Sequence, residues 1–343
     1  MNIVEAIKKL IDKENLSEDE VRDVINEIMN GEATSCQKGG FLTALKLKGE
    51  TAQEMLGAVK ALRDNFIPVK IQNPKNLIDT CGTGGDGGKT FNVSTAVAIV
   101  AASGGAKIAK HGNHAVSSKS GSADVLGELK IKTDYTSYES AEVIINKGMA
   151  FLFAPQYNPA MKNVSAERKE LGCRTLFNLI GPLSNPAPLT GQLMGIYDGT
   201  LIESVGQVLK DLGLNRAMVV HGDDGLDEIT TTTTTTVCEL NNGVLTKYTL
   251  DIIFKISFIE LSLNTPTFLI SIFSLLLSLN AISPEICLLL FAKTNPIYSG
   301  FNIFKYSISI SFVIPHILIS IIIILHTLTQ ITNYKLVGFL NFL

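Results

Sequence analysis

The run DTCGTGGDGGKTFNVSTAVAIVAASGGAKIAKHGNHAVSSKSGSAD, from Asp79 to Asp124, gathers the residue types that hold a phosphorylated ligand. Gly82, Gly84, Gly85, Gly87 and Gly88 carry no side chain, so backbone N–H groups there can approach oxyanions closely. A helix expected to begin near Val93 aims its partly positive N-terminus at the same turn. Asn92, Ser94 and Thr95 add side-chain donors, and Lys110 and Lys119 add positive charge. Taken alone, such a turn is also read as a tight corner with no ligand. The conjunction of the turn, the N-V-S-T helix start and a polar K-H-G-N…S-S-K-S-G-S-A-D loop within one βαβ unit favours the binding site.

A second group is acidic. Asp223, Asp224, Asp227 and Glu228 stand close together after an expected strand, and they repel one another unless a cation or solvent intervenes. Hard oxygen donors suit Mg²⁺, which binds diphosphate with few protein carboxylates and several waters; a solvated acidic turn is the plain alternative. Asp86 is out of place electrostatically at a phosphate site. It is reasonable there as a partner of a ribose hydroxyl, a backbone N–H or metal-bound water, or as a residue that stabilises the turn. Arg168, in a helical segment beside Glu167, Lys169 and Glu170, reads by itself as a surface residue. His111 is either an acid–base group or a loop-shaping one, and His221 reads as a hydrogen-bonded strand-end histidine. No Ser/His/Asp or Cys/His arrangement suggests covalent catalysis.

The elements that position these residues divide in two. Residues 1–70 read as antiparallel helices. Ile3, Ile7, Leu10 and Ile11 share one helical face. Ser17-Glu18-Asp19-Glu20 opens a second helix that Gly31 ends, a third covers residues 36–48 before Gly49, and Thr51-x-x-Glu54 caps a fourth that runs to about Asn65. Their apolar stripes suit a core or a subunit interface. From residue 71 to 251 short strands near 77–80, 106–109, 150–153, 192–197 and 216–220 alternate with helices near 93–103, 122–130, 138–147, 158–171 and 200–212. That alternation predicts an α/β domain with a mostly parallel, covered sheet. The threonine run 230–236 reads as a short strand or loop.

The same residues closely resemble the anthranilate phosphoribosyltransferase family. The matching elements are Gly82-Thr83-Gly84-Gly85-Asp86, Asn92-Val93-Ser94-Thr95, Lys110-His111-Gly112-Asn113 and Ser117 to Asp124. Arg168, Arg174-Thr175-Leu176-Phe177-Asn178, Gly181-Pro182-Leu183, Asn185-Pro186, His221-Gly222 and Asp227-Glu228-Ile229-Thr230 follow in order. The resemblance runs from Met1 to about Asp251. It implies a small helical domain plus a larger α/β domain of the nucleoside phosphorylase and phosphoribosyltransferase type, with the site in the cleft. It also implies joining of the anthranilate amine to C1 of phosphoribosyl pyrophosphate, with Mg²⁺, in a cytoplasmic homodimer that pairs through the helical domain.

Carried over residue by residue, the resemblance places Gly82, Gly85, Asp86, Thr90, Asn92, Val93, Ser94 and Thr95 along the pyrophosphate and ribose. Lys110, His111, Gly112, Asn113, His114, Ala115, Val116, Ser117, Ser118 and Ser122 then wrap the phosphates. Gly82, Asn113 and Arg168 border anthranilate, and Ser94, Asp227 and Glu228 contact the metal. His114 stands where the family most often has Arg, which puts one phosphate contact in question. A pyrimidine nucleoside phosphorylase is the nearest enzymatic alternative. A catalytically idle relative that binds nucleic acid is the other, and it calls for a basic surface and a damaged phosphate loop.

Across its 343 residues the chain has a formal net charge of −3, which argues against a general nucleic-acid binder. Cys36, Cys81, Cys173, Cys238 and Cys287 are scattered with no C-x-x-C pair, so neither a zinc site nor a disulfide framework is expected. The charged N-terminus has no secretory h-region, and a reducing cytoplasm is the natural setting. After Asp251 the composition breaks. Ile, Leu, Phe and Ser dominate residues 252–343, whose charges are Lys255, Glu260, Glu285, Lys293, Lys305 and Lys335. Stretches 261–284 and 306–334 are uncharged and long enough for a membrane span. Yet Trp is absent and the lysines are evenly spread, against an interfacial anchor. Loss of motif, charge and glycine at one point predicts an out-of-frame reading of an AT-rich gene; a membrane tail and a divergent soluble end are the alternatives. Protein expressed from verified DNA is expected to be soluble and to yield C-terminal peptides that differ from those written after Asp251. A membrane-bound product carrying the peptide 306–335 overturns that expectation.

Overall fold

The computed structural model describes residues 1–84, 91–115 and 120–251. Gly85, Asp86, Thr90, Val116, Ser117 and Ser118, together with Lys119 and the whole 252–343 segment, lie outside the described residues.

Four helices open the chain: α1 (Ile3–Ile11), α2 (Glu18–Met29), α3 (Ser35–Lys48) and α4 (Ala52–Asp64). Each begins at a capping box, in which Asn2, Ser17, Thr34 and Thr51 trade hydrogen bonds with Glu5, Glu20, Gln37 and Glu54 three residues on. Val21, Val24, Ile25 and Ile28 face inward as their spacing requires. Ile11 departs from the expected face of α1: it is 67% exposed while Ile3 and Leu10 are buried. Helices α2 and α4 pack so closely at Gly57 that an added Cβ would collide with the Glu18 carbonyl oxygen.

The second half winds a sheet. Its elements are β1 (Leu77–Gly82), α5 (Val93–Ser103), β2 (Lys107–Gly112), α6 (Ser122–Glu128), α7 (Ser137–Lys147), β3 (Met149–Phe153), α8 (Ala154–Tyr157), α9 (Lys162–Leu171), α10 (Leu176–Leu183), β4 (Gly191–Gly195), α11 (Ile202–Asp211), β5 (Arg216–Gly222), β6 (Thr235–Asn241) and β7 (Val244–Leu250). The strand order is β3-β2-β1-β4-β5-β6-β7. The pairs from β3 to β5 are parallel, while β6 and β7 add on antiparallel. The chain lays β2 and β3 on one side of β1 and β4 on the other. This reversal opens a crevice at the carboxyl ends of β1 and β4, where open α/β sheets bind ligands.

Two differences from the sequence expectation have physical causes. The helix expected over 158–171 is broken: α8 ends at Tyr157, a 3₁₀ turn covers Pro159–Met161, and α9 starts at Lys162. Pro159 lacks the N–H that a continuous helix needs. Helix α10 forms despite Pro182, which lies in its last turn. The threonine run is a loop that enters β6, and its hydroxyls are taken up by neighbouring acids. Thr230 and Thr232 donate to Asp224, and Thr234 and Thr236 donate to Asp223.

One core joins the two halves. Phe41, Leu42, Leu45, Met55 and Leu62 of the bundle pack in the same cluster as Leu179, Ile180, Val205, Leu209, Val219 and Leu240 of the α/β part. The alternate residues Met218 and Val220 face the other side of the sheet, in the cluster built around α5. Gly→Ala inside a helix normally stabilises by about 0.5–1 kcal/mol. Gly57→Ala is instead expected to destabilise by about 1–3 kcal/mol, because the rigid Glu18 backbone cannot yield. The urea midpoint of the folded chain checks the sign.

Candidate active site

A cavity of about 490 Å³ opens at the carboxyl edge of the sheet. Its wall takes Gly82 from the end of β1, Gly112 from the end of β2, Asn92, Val93 and Ser94 from the start of α5, and Ser122 from the start of α6. Lys110, His111, Asn113, His114 and Ala115 line it from the β2 strand and loop. Arg168 enters from α9, and Asp227 and Glu228 enter from the loop after β5. Residues far apart in sequence thus meet here because every parallel strand ends at the same edge.

Thr95 departs from the expectation. It is fully buried, and its hydroxyl donates to Asn92 Oδ1 at 2.6 Å, so it steadies Asn92 and does not face the cavity. Asn158, Phe177, Asn178, Gly181 and Pro182 line the wall without having been singled out for a site role. Asn158 is 6% exposed, and its Oδ1 finds no hydrogen-bond partner among the described residues. Only the N-P turn that places it was visible in the sequence.

Asp227 is positioned by glycines. An added Cβ at Gly195 would overlap the Asp227 backbone carbonyl, and one at Gly82 would lie 2.8 Å from Asp227 Oδ2. That same oxygen accepts the Gly84 N–H at 2.7 Å. The acidic loop is therefore clasped to the glycine turn after β1.

Below the cavity lies a buried polar layer. Asp79 is fully buried and accepts hydrogen bonds from His111 N at 3.3 Å and Asn185 Nδ2 at 2.9 Å. Burial pushes its carboxyl up to about 6, against the opposing pull of Lys110 and these donors. Lys110 Nζ donates to the Thr80 carbonyl at 2.6 Å and to Ser94 Oγ at 3.2 Å. Burial lowers its affinity for a proton, while Asp79, Cys81 and Glu228 oppose that shift. His111 is pushed down to about 4, chiefly by burial, so its imidazole is neutral at pH 7. Its Nε2 has no partner among the described residues.

His114 sits at the exposed rim. Its Nδ1 lies 2.6 Å from Asp124 Oδ1, and the other oxygen of Asp124 accepts from Ala115 N at 3.0 Å and Gly121 N at 2.7 Å. These contacts, His114 first, hold the Asp124 carboxyl down to about 2. Arg168 has no acid within ion-pair distance among the described residues. Its guanidinium lies 5.4 Å from the Phe177 ring centroid, and burial alone lowers its proton affinity.

Comparison with known proteins agrees with this geometry. Residues 74–257 match the model of the glycosyl transferase family a/b domain, and residues 4–66 match that family's helical bundle domain. Anthranilate phosphoribosyltransferase of Clostridium beijerinckii is 67% identical over 251 residues, 73% of this chain and 74% of the relative. The chain belongs to the anthranilate phosphoribosyltransferase family. The Clostridium kluyveri enzyme is 56% identical over 246 residues, 72% of this chain and 73% of its own length. Among solved structures of the family, that of the Thermus thermophilus enzyme superposes with a TM-score of 0.67 at 39% identity, covering 73% of this chain and 74% of that one. The Saccharomyces cerevisiae enzyme in complex with PRPP and Mg gives 0.66 at 30% identity, covering 73% and 72%. Among the described residues, no helix is long and apolar enough to cross a membrane.

If Gly195 is what admits Asp227, then Gly195→Ala must drive the acidic loop off the glycine turn. The Gly84 amide then loses its acceptor, and its hydrogen exchange is expected to quicken by at least about tenfold. Gly127→Ala, where a Cβ meets nothing within 4 Å, serves as the control that leaves Gly84 unchanged.

Proposed function

We propose that this family member transfers the phosphoribosyl group of phosphoribosyl pyrophosphate to the amine of anthranilate, giving N-(5-phosphoribosyl)anthranilate and pyrophosphate in tryptophan biosynthesis. One observation carries the reading: a half-buried arginine without an acid partner among the described residues and an adjacent Asp-Glu pair face the same cavity at the sheet's switch point.

The amine lone pair attacks C1 of the ribose as the C1–oxygen bond to pyrophosphate breaks, and the nitrogen then gives up a proton. A displacement with oxocarbenium character needs alignment and a stabilised leaving group, and no covalent nucleophile. Arg168 holds the anthranilate carboxylate through its planar fork, beside Asn113 and Gly82. The N-terminus of α5, Asn92, Ser94 and the glycine turn receive the phosphates. Lys110 fixes Ser94 from beneath and adds positive charge. Neutral His111 shapes the wall next to the acceptor and is not the group that takes the amine proton; solvent or pyrophosphate takes it.

Mg²⁺ fits the donors present. Asp227, Glu228 and Ser94 offer only oxygen, and the described residues contain no cluster of three or more His, Cys, Asp or Glu side chains. A hard divalent ion here would draw its remaining ligands from the diphosphate and water. When bound, it would neutralise charge on the departing pyrophosphate. Exposed Val4, Ile11 and Leu47 on the helical domain support pairing of two copies through that domain. The placement of a domain boundary near residue 70 draws support from the two family-model matches. The out-of-frame reading of 252–343 draws support from the relatives, whose alignments leave about a quarter of their own length unmatched.

Purified protein is expected to release pyrophosphate only when anthranilate accompanies the phosphoribosyl donor and Mg²⁺. A folded protein without that dependence overturns the reading. Arg168→Ala is expected to weaken anthranilate by roughly 1.5–3 kcal/mol, about 10- to 150-fold in KM, with little effect on the donor. Asp227→Asn with Glu228→Gln should instead raise the Mg²⁺ requirement and the donor KM. Equal damage to both substrates by both variants would refute this division of roles.

A further inference from the structure

The helical domain grips α9 through a polar cluster centred on one buried lysine. Lys38, on α3, is 8% exposed. Its Nζ donates to the Asn163 carbonyl oxygen at 2.5 Å and to Glu167 Oε1 at 3.0 Å. Ser35 Oγ donates to the same carboxylate oxygen at 2.8 Å, and Asn163 Nδ2 donates to the Met29 carbonyl at 2.6 Å. Asn163 and Glu167 are four residues apart and so stack on one face of α9. Arg168 is the next residue, about 100° further round the helix.

The N-terminal end of α9 holds it weakly. It has no side-chain N-cap bond, and a 3₁₀ turn precedes it. Arg168 meets the face of Phe177 and has no acid partner among the described residues. The direction of its guanidinium therefore depends on the rotation of the whole helix. An apolar contact would allow that rotation to drift, because it is non-directional. An ammonium group bonded at once to a carbonyl of residue 163 and a carboxylate of residue 167 does not. Burial opposes ionisation of Glu167, but hydrogen bonds from its own backbone, Lys38 and Ser35 outweigh burial and keep the carboxyl below its usual range.

We infer that Lys38 is a positioning residue for Arg168: through Glu167 and Asn163 it sets the rotation of α9, and with it the place where the acceptor's carboxylate is held. The inference rests on the role proposed for Arg168. It assigns acceptor recognition partly to the helical domain, which among the described residues contributes only Leu62 to the cavity wall.

The test measures KM for each substrate, kcat and the urea midpoint in the protein expressed from its own gene and in Lys38→Met, Lys38→Arg and Glu167→Gln. Lys38→Met and Glu167→Gln are expected to raise the anthranilate KM about tenfold, the scale of a sub-ångström misplacement, and to move the donor KM less than about twofold. Lys38→Arg restores most of the loss. The double variant Lys38→Met/Glu167→Gln is no worse than the poorer single variant, as expected for two halves of one contact. An unchanged anthranilate KM in a folded variant overturns the inference, and so does a parallel rise in both KM values. If Lys38→Met does not fold, Glu167→Gln, which keeps shape and removes charge, decides by the same readouts. Wild-type protein without anthranilate-dependent pyrophosphate release overturns the functional reading itself; an active wild type with unmoved variants overturns this inference alone.

Discussion

The close approach of Asp227 to the ends of β1 and β4 is the constraint around which the site is built. Two strands that end in glycine leave room for a backbone and a carboxylate to lie across their carboxyl ends. The hydrogen bond from Gly84 then ties the loop after β5 to the turn after β1. With that clasp closed, the acids, the start of α5 and the β2 loop face a common space. The reversal in strand order supplies the crevice, and the glycines decide what can occupy its floor.

Directly under this floor the protein buries charge where most folds bury methyl groups. Asp79, Lys110 and Asn185 sit between β1 and β2 with their polar atoms partnered. Desolvation disfavours both ions and pulls their proton affinities toward each other. Such a layer contributes little net stability compared with an apolar one of the same shape. What it supplies is direction. Asn185 bridges Asp79 to the Ala109 carbonyl, and Lys110 spans from Thr80 to Ser94, so strand, loop and helix start are held in one arrangement.

Much of this was legible in the residues. The five parallel strands fall within one to three residues of the positions their apolar runs suggest, because buried parallel strands are continuous and glycine-bounded. Two of the four N-caps, Ser17 and Thr51, were read from S/T-x-x-E patterns, while those at Asn2 and Thr34 emerged only in the structure. The hairpin β6–β7 was not read, although Asn242-Gly243, both at positive φ, closes it as a two-residue turn; the threonine run before it carries no strong period, and its order comes from hydroxyl bonds to Asp223 and Asp224. Helix α10 was hidden by Gly181 and Pro182. In the site, the motif residues were visible by type, but the inward turn of Thr95 and the unsatisfied Oδ1 of Asn158 depend on packing that no local pattern encodes. The clasp between Asp227 and Gly84 spans 143 positions and was equally invisible.

The Lys38–Glu167 pair also bears on how the chain folds as it is made. The helical domain leaves the ribosome first, yet its buried lysine must wait 129 residues for its acid. Until then the ammonium group must remain hydrated, and the α3 surface around it cannot close. A bundle that is complete in sequence is thus unfinished in solvation, and the face around Lys38 dries only when α9 arrives. Domains usually fold as units in the order of synthesis. Here the late step falls at the seam between the domains, so the Lys38 face of the bundle is buried in the same event that sets Arg168 beside the cavity.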